Sequence, residues 1–235
     1  MGEGTGARFE ELVAIMARLR SPEGCPWDRE QDHRSLRPHL LEECYEVLEA
    51  IDAGDTAALQ GELGDVLLQV VFHGQLAAEA GEFDIADVIQ GLRDKLVTRH
   101  PHVFGELQIE TADDVVTEWE SIKRRERRQT PAEQVAAGVP KHLPALARAE
   151  TVLRKAVRAG AVRTPEQMVE ELETALQRIT ETGDPAELER AVGELLFAVT
   201  DLARINGVEA EQALRTKVDG YLREFGGGGV GPRAP

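Results

Sequence analysis

Between Glu62 and Leu76 the chain carries Leu63, Val66, Leu67, Leu68, Val70, Val71, Phe72 and Leu76. At about 100° per residue they surround most of a helical wheel. A helix that is apolar on nearly every side is predicted to be buried, and it needs other helices to bury it. The exceptions, Glu62, Asp65, Gln69 and His73, fall in one narrow sector. Acids on an otherwise buried helix predict an internal polar cavity. The alternative is a solvated stripe at the edge of a bundle.

Helical periodicity recurs along the chain, and no alternating strand pattern stands out. Aromatics make up only 4% of the residues, while Ala, Leu, Val and Glu are frequent, which favours helices. Helices are predicted over Phe9–Leu19, Leu36–Ala53, Thr56–Ala80, from Asp84 to about His100, from Thr111 through Lys123 to Arg128, over Ala145–Ala159, and from Thr164, Asp184 and onward to Phe225. Residues 21–28, rich in breakers, are predicted to be a loop. The stretch 130–144, with its prolines, reads as a linker, and 226–235 as a flexible glycine-rich tail.

The two halves match each other. His39–Ile51 aligns with Gln167–Ile179, Gly54-Asp55 with Gly183-Asp184, and Gly64–Leu68 with Gly193–Phe197. Tandem duplication of one helical unit is the reading.

Two acidic motifs carry the chemistry: Glu42-Glu43-x-x-Glu46, and Glu62-x-x-Asp65 on the next helix. Three-residue spacing puts Glu43 beside Glu46, and Glu62 beside Asp65. Carboxylates that converge between two helices repel one another unless cations neutralise them. Oxygen-only ligands suit a hard ion such as Mg²⁺, with Mn²⁺ as a substitute, and Mg²⁺ commonly accompanies phosphate substrates. Taken alone, Glu42, Glu43, Glu46 and Glu49 look like an ordinary solvated face, since Leu41, Cys44, Tyr45, Leu48 and Ile51 form the apolar one. The neighbouring acidic sector is what turns them into candidates for a shared site.

The second half lacks the pattern. Glu62 becomes Ala191, Gln69 becomes Ala198, His73 becomes Leu202 and Glu46 becomes Thr174, and only Asp65 keeps an acid, as Glu194. Ala191, Ala198 and Leu202 are therefore predicted to fill the pocket as core. A net charge of −16 disfavours binding of nucleic-acid polymers. Cys25 and Cys44 form no CxxC pair, and no apolar run reaches membrane-spanning length, so a cytoplasmic protein is expected.

These residues resemble the MazG family of nucleoside triphosphate pyrophosphohydrolases. The resemblance rests on the two acidic motifs, on Gly24-Cys-Pro-Trp-Asp-Arg-Glu-Gln31 before them, and on Gly61–Phe72, Asp94-Lys-Leu96, Arg99–Phe104, Trp119-Glu-x-Ile-Lys123 and Leu143–Leu146 after or within them. It implies an all-α fold of tandem four-helix-bundle units assembling as a homodimer. It also implies hydrolysis of nucleoside triphosphates to monophosphate and pyrophosphate with Mg²⁺. By resemblance the metal ligands are Glu43, Glu46, Glu62 and Asp65, with Glu42 in support, and the nucleotide contacts are Lys95, Arg99, Trp119 and Lys123. Read without the family, Lys95 and Arg99 are solvated helix surface, Trp119 is a core anchor, and Lys123–Arg128 is a basic helix end. The second half offers neither the Lys–Arg pair nor a second Trp–Lys segment. Activity is thus expected in residues 1–129, with 145–225 a degenerate repeat.

Narrower pyrophosphohydrolases acting on dUTP, dCTP or phosphoribosyl-ATP share this carboxylate pattern. A di-iron bundle would need two Glu-x-x-His motifs, and only Glu30-x-x-His33 is present. A non-catalytic helical adaptor is the third alternative.

Overall fold

The computed structural model describes residues 4–127 and 138–227, all helix and connection with no strand among them. It divides into two compact units, Met1–Gln108 and Ile109–Pro235. The greater part of the predicted linker, and the end of the predicted tail, lie outside the described residues.

The first unit holds α1 (Thr5–Arg20), α2 (Pro26–Glu30), α3 (Arg37–Ala53), α4 (Thr56–Ala80), α5 (Ile85–Arg99) and α6 (Pro101–Phe104). The helical hairpin α3–α4 is fixed by two adjacent residues. Gly54 takes the left-handed conformation that ends α3 (φ 66°), and the Asp55 carboxylate accepts from the Ala57 and Ala58 amides to start α4. Met16, Leu36, Val71 and Phe72 form the core, with Phe9, Leu12, Val13, Leu19, Leu68 and Leu76 packed around them. One face of α4 is therefore buried against α1.

The expectation that the apolar sides of α4 are buried is corrected. Leu63, Leu67 and Val70 are 53, 39 and 39% exposed. The main apolar face of α3 is open as well, with Leu41, Leu48 and Ile51 about half exposed. An apolar surface of this extent on the hairpin has no cover within the unit.

The breaker-rich loop also differs from its prediction. Pro26 occupies the first turn of a short helix, where its missing N–H is no loss. Arg20 ties this segment down. Its guanidinium donates to both Glu79 carboxylate oxygens at 2.7–3.0 Å, to the Gln31 carbonyl at 3.3 Å and to the Asp28 carbonyl, and it lies 5.4 Å from the Phe72 ring centre. Gly24 is required there, because a Cβ would sit 2.1 Å from the Leu19 carbonyl oxygen.

The second unit holds α7 (Ala112–Arg127), α8 (Ala145–Arg158), α9 (Pro165–Glu181), α10 (Pro185–Ile205) and α11 (Ala210–Gly227). Its hairpin is α9–α10. Thr164 and Gln167 form a capping box on α9, and Asp184 accepts from the Ala186 amide to start α10. Leu153, Met168, Ala175, Ala191 and Ala198 are buried.

Candidate functional site

The α3–α4 hairpin brings residues about twenty positions apart into one cluster. Glu43 on α3 and Glu62 and Asp65 on α4 each offer a carboxylate oxygen, and the three oxygens lie within 4.8 Å of one another. Glu43 and Glu62 are half-buried; Asp65 is exposed. The acids therefore stand on an open face of the hairpin and do not line a sealed cavity, because the apolar residues flanking them on α4 are themselves uncovered.

Charge in the cluster is uncompensated. The Glu43 carboxyl is pushed above its ordinary pKa by partial burial first, then by the charges of Asp65, Glu46 and Glu42. Glu62 is raised by partial burial first, then by Glu46 and Asp65. Glu46, the fourth predicted ligand, is exposed on α3 and is not among the three clustered residues, though its charge acts on both Glu43 and Glu62. Among the described residues, neither Glu43, Glu62 nor Asp65 has an Arg or Lys ion-pair partner. The donor set is all oxygen, anionic and crowded, and that suits a hard divalent cation. Glu42 is not part of the group. It is exposed and lies 3.7 Å from the His39 ring nitrogen.

Further along α4, His73 meets His33, Nδ1 to Nδ1 at 2.8 Å, with the rings stacked 5.0 Å apart. Burial first, and the His33 charge second, hold the His73 pKa below its usual value. The contact ties α4 to the turn that precedes α3.

The predicted nucleotide contacts fall in both units. Lys95 is exposed and Arg99 half-buried, one turn apart on α5 of the first unit. Trp119 and Lys123 are on α7, counted with the second unit. The Lys123 ammonium is 5.6 Å from the Trp119 ring centre, and Trp119 is 38% exposed. The indole is therefore partly exposed and not fully buried.

The second unit treats its remaining acids differently. Arg163 donates to Glu171 and Asp201, each at 2.6 Å, and Arg178 donates to both Glu187 and Glu194. Glu171 and Glu194 are the residues matched to Glu43 and Asp65. Here protein cations neutralise them. Ala191 and Ala198 are packed as core, at 0 and 2% exposure, while Leu202 is half-buried. The same unit has a cleft of about 600 Å³ lined by residues that include Arg163, Glu170, Glu171, Thr174, Glu194 and Phe197. Sequence reasoning missed the two arginines. The signal was there: alignment of the halves sets Arg163 against Ser35 and Arg178 against Ala50.

The chain is similar to known proteins over nearly its whole length. The MazG nucleotide pyrophosphohydrolase domain matches residues 31–104, which hold α3, α4 and α5. A Thermotoga maritima protein named nucleoside triphosphate pyrophosphohydrolase/pyrophosphatase MazG is 45% identical, over 94% of this chain and 85% of its own. An Escherichia coli protein named nucleoside triphosphate pyrophosphohydrolase is 41% identical, over 93% of this chain and 86% of its own. Bacillus subtilis YabN, of uncharacterised function, is 40% identical over 92% of this chain and 45% of its own. With this identity over nearly its whole length, the chain is an enzyme of the MazG nucleotide pyrophosphohydrolase family.

Proposed function

We propose that this enzyme hydrolyses nucleoside triphosphates to nucleoside monophosphates and pyrophosphate, with Mg²⁺ held by Glu43, Glu46, Glu62 and Asp65. The observation that carries the reading is the convergence of Glu43, Glu62 and Asp65 to within 4.8 Å with no basic partner among the described residues. Similarity to relatives named as nucleoside triphosphate pyrophosphohydrolases supports the substrate class.

Water adds to the α-phosphorus, the α–β anhydride bond breaks, and the bridging oxygen leaves with pyrophosphate. The bound divalent cation supplies charge neutralisation and polarises the phosphate oxygens. Lys95 and Arg99, one turn apart, neutralise the triphosphate, the guanidinium fork gripping two oxygens at once. Trp119 offers a flat face to the base, and Lys123 adds a charge beside it. Glu42 supports from outside the cluster. In this reading residues 1–129 are the catalytic part, 130–144 a linker, 145–225 a degenerate repeat and 226–235 a tail. The working protein is a cytoplasmic homodimer, supported by the uncovered apolar face of α3 and α4, and it clears unwanted nucleotides from the pool.

Pyrophosphate release by the full chain, assayed with Mg²⁺ and with chelator, tests the proposal. Activity should need the cation, and Glu62→Ala should abolish it while the helical circular-dichroism spectrum stays intact. Unchanged turnover in Glu62→Ala refutes the assignment.

A further inference from the structure

Gln69 lies on one face of α4, between the carboxylate cluster and the His33–His73 contact. Glu62 and Asp65 meet Glu43 on one side of it, and His73 meets His33 on the other. Positions 62, 65, 69 and 73 recur at helical spacing, so Gln69 shares that face. It is 5% exposed, and its carboxamide oxygen is buried with no hydrogen-bond partner among the described residues.

A buried acceptor left unmade opposes folding, whereas a methionine of similar shape would carry no such penalty. The fold does not ask for a polar group here. At the matched position in the second unit stands Ala198, 2% exposed, and Glu62 is matched there by Ala191. The amide and the acid disappear together, while the α9–α10 hairpin still forms.

We propose that Gln69 is a positioning residue of the carboxylate site, its buried Oε1 accepting a hydrogen bond from a water molecule held at the Glu62–Asp65 cluster. This rests on the cation-site reading above. Hard divalent ions of the Mg²⁺ class keep several waters, and those waters need acceptors. A neutral amide provides one without adding to the repulsion among the carboxylates. It also accepts no proton itself, so it fixes the water's orientation without competing as a base.

The test uses the full-length protein, Mn²⁺ as the probe, and two readouts: Mn²⁺ affinity by electron paramagnetic resonance, and the thermal midpoint without metal. Gln69→Met should weaken Mn²⁺ binding by about 10–100-fold, the usual effect of losing an outer partner. Its metal-free midpoint should stay level or rise, since an unpartnered buried acceptor has been removed. Mn²⁺ affinity within twofold of the parent overturns the proposal, whatever the midpoint does. If Gln69→Met fails to fold, Gln69→Ala, which copies Ala198, is read in the same way. Glu62→Ala separates the two levels. If the parent binds no Mn²⁺, or Glu62→Ala binds it as the parent does, the cation site itself is wrong. If Glu62→Ala loses binding while Gln69→Met keeps it, only the role of Gln69 is wrong.

Discussion

Arg163 donates to Asp201 at 2.6 Å, and the acceptor is 1% exposed. Arg204 adds bonds of 2.6 and 2.8 Å to the other carboxylate oxygen. A buried carboxylate is tolerated only when paired and fully hydrogen-bonded. Arg163→Met removes one partner and leaves the other. It should therefore lower the unfolding free energy by about 1–3 kcal/mol, less than loss of every partner would cost. Urea denaturation of the full chain measures this. Unfolding at the parent midpoint would show that Arg204 alone suffices.

The helical fold was legible in the sequence because periodicity and caps are local signals. Gly54 with Asp55, and Thr164 with Pro165, mark helix ends that the structure places where the sequence does. The clustering of Glu43, Glu62 and Asp65 was legible because the connection between α3 and α4 is short, which leaves the hairpin little freedom. The exposure of Leu63, Leu67 and Val70 was not legible. Periodicity reports that a face is apolar, and whether anything covers it depends on packing beyond one helix. Alignment of the halves flags Arg163 and Arg178 as new cations, but which acids they pair with was not legible, for a related reason. An arginine in isolation reads as solvated surface until its partners on the neighbouring helix are in view.

Glu194 is held by Arg178, which also binds Glu187. An acid already neutralised by a guanidinium has little left to offer a cation. Glu194→Ala should therefore leave pyrophosphate release by the full chain within about twofold, while Glu43→Ala should lower it by more than the ~100-fold typical of an outer partner. Steady-state rates at saturating nucleotide and Mg²⁺ decide. A large loss in Glu194→Ala would place chemistry in the second unit.

Leu63, Leu67 and Val70 on α4, with Leu41, Leu48 and Ile51 on α3, leave a broad apolar surface open on one hairpin. In the homodimer reading a second copy covers it. Leu67→Asp puts a charge in the middle of that surface and should halve the mass seen by sedimentation, because burying an unpaired carboxylate is prohibitive. The acidic cluster lies on the same two helices, so Mn²⁺ affinity should fall in the variant, together with loss of the dimer. A parent protein that sediments as a monomer, or a Leu67→Asp variant that remains dimeric, defeats the prediction.

Glu79 accepts three hydrogen-bond contacts from Arg20, at 2.7, 2.8 and 3.0 Å. The guanidinium is the main cause that holds its carboxyl below the ordinary value of 4.5, helped by Gln75. The folded protein thus releases this proton more readily than the unfolded chain does. The pair's contribution is fully present above pH 4.5 and is lost as the pH falls through the lowered folded value. Glu79→Gln removes the titrating group. At neutral pH the variant should be less stable by about 1 kcal/mol or less, since Glu79 is partly exposed and solvent screens the pair. Below pH 4.5 the two proteins should converge as the parent carboxyl takes up its proton. Thermal midpoints of parent and variant between pH 3 and pH 7, about one unit apart, give the curve. A gap that stays constant across that range would mean that Arg20 holds Glu79 by packing alone, and that the Cys25–Gln31 segment it anchors does not depend on the charge.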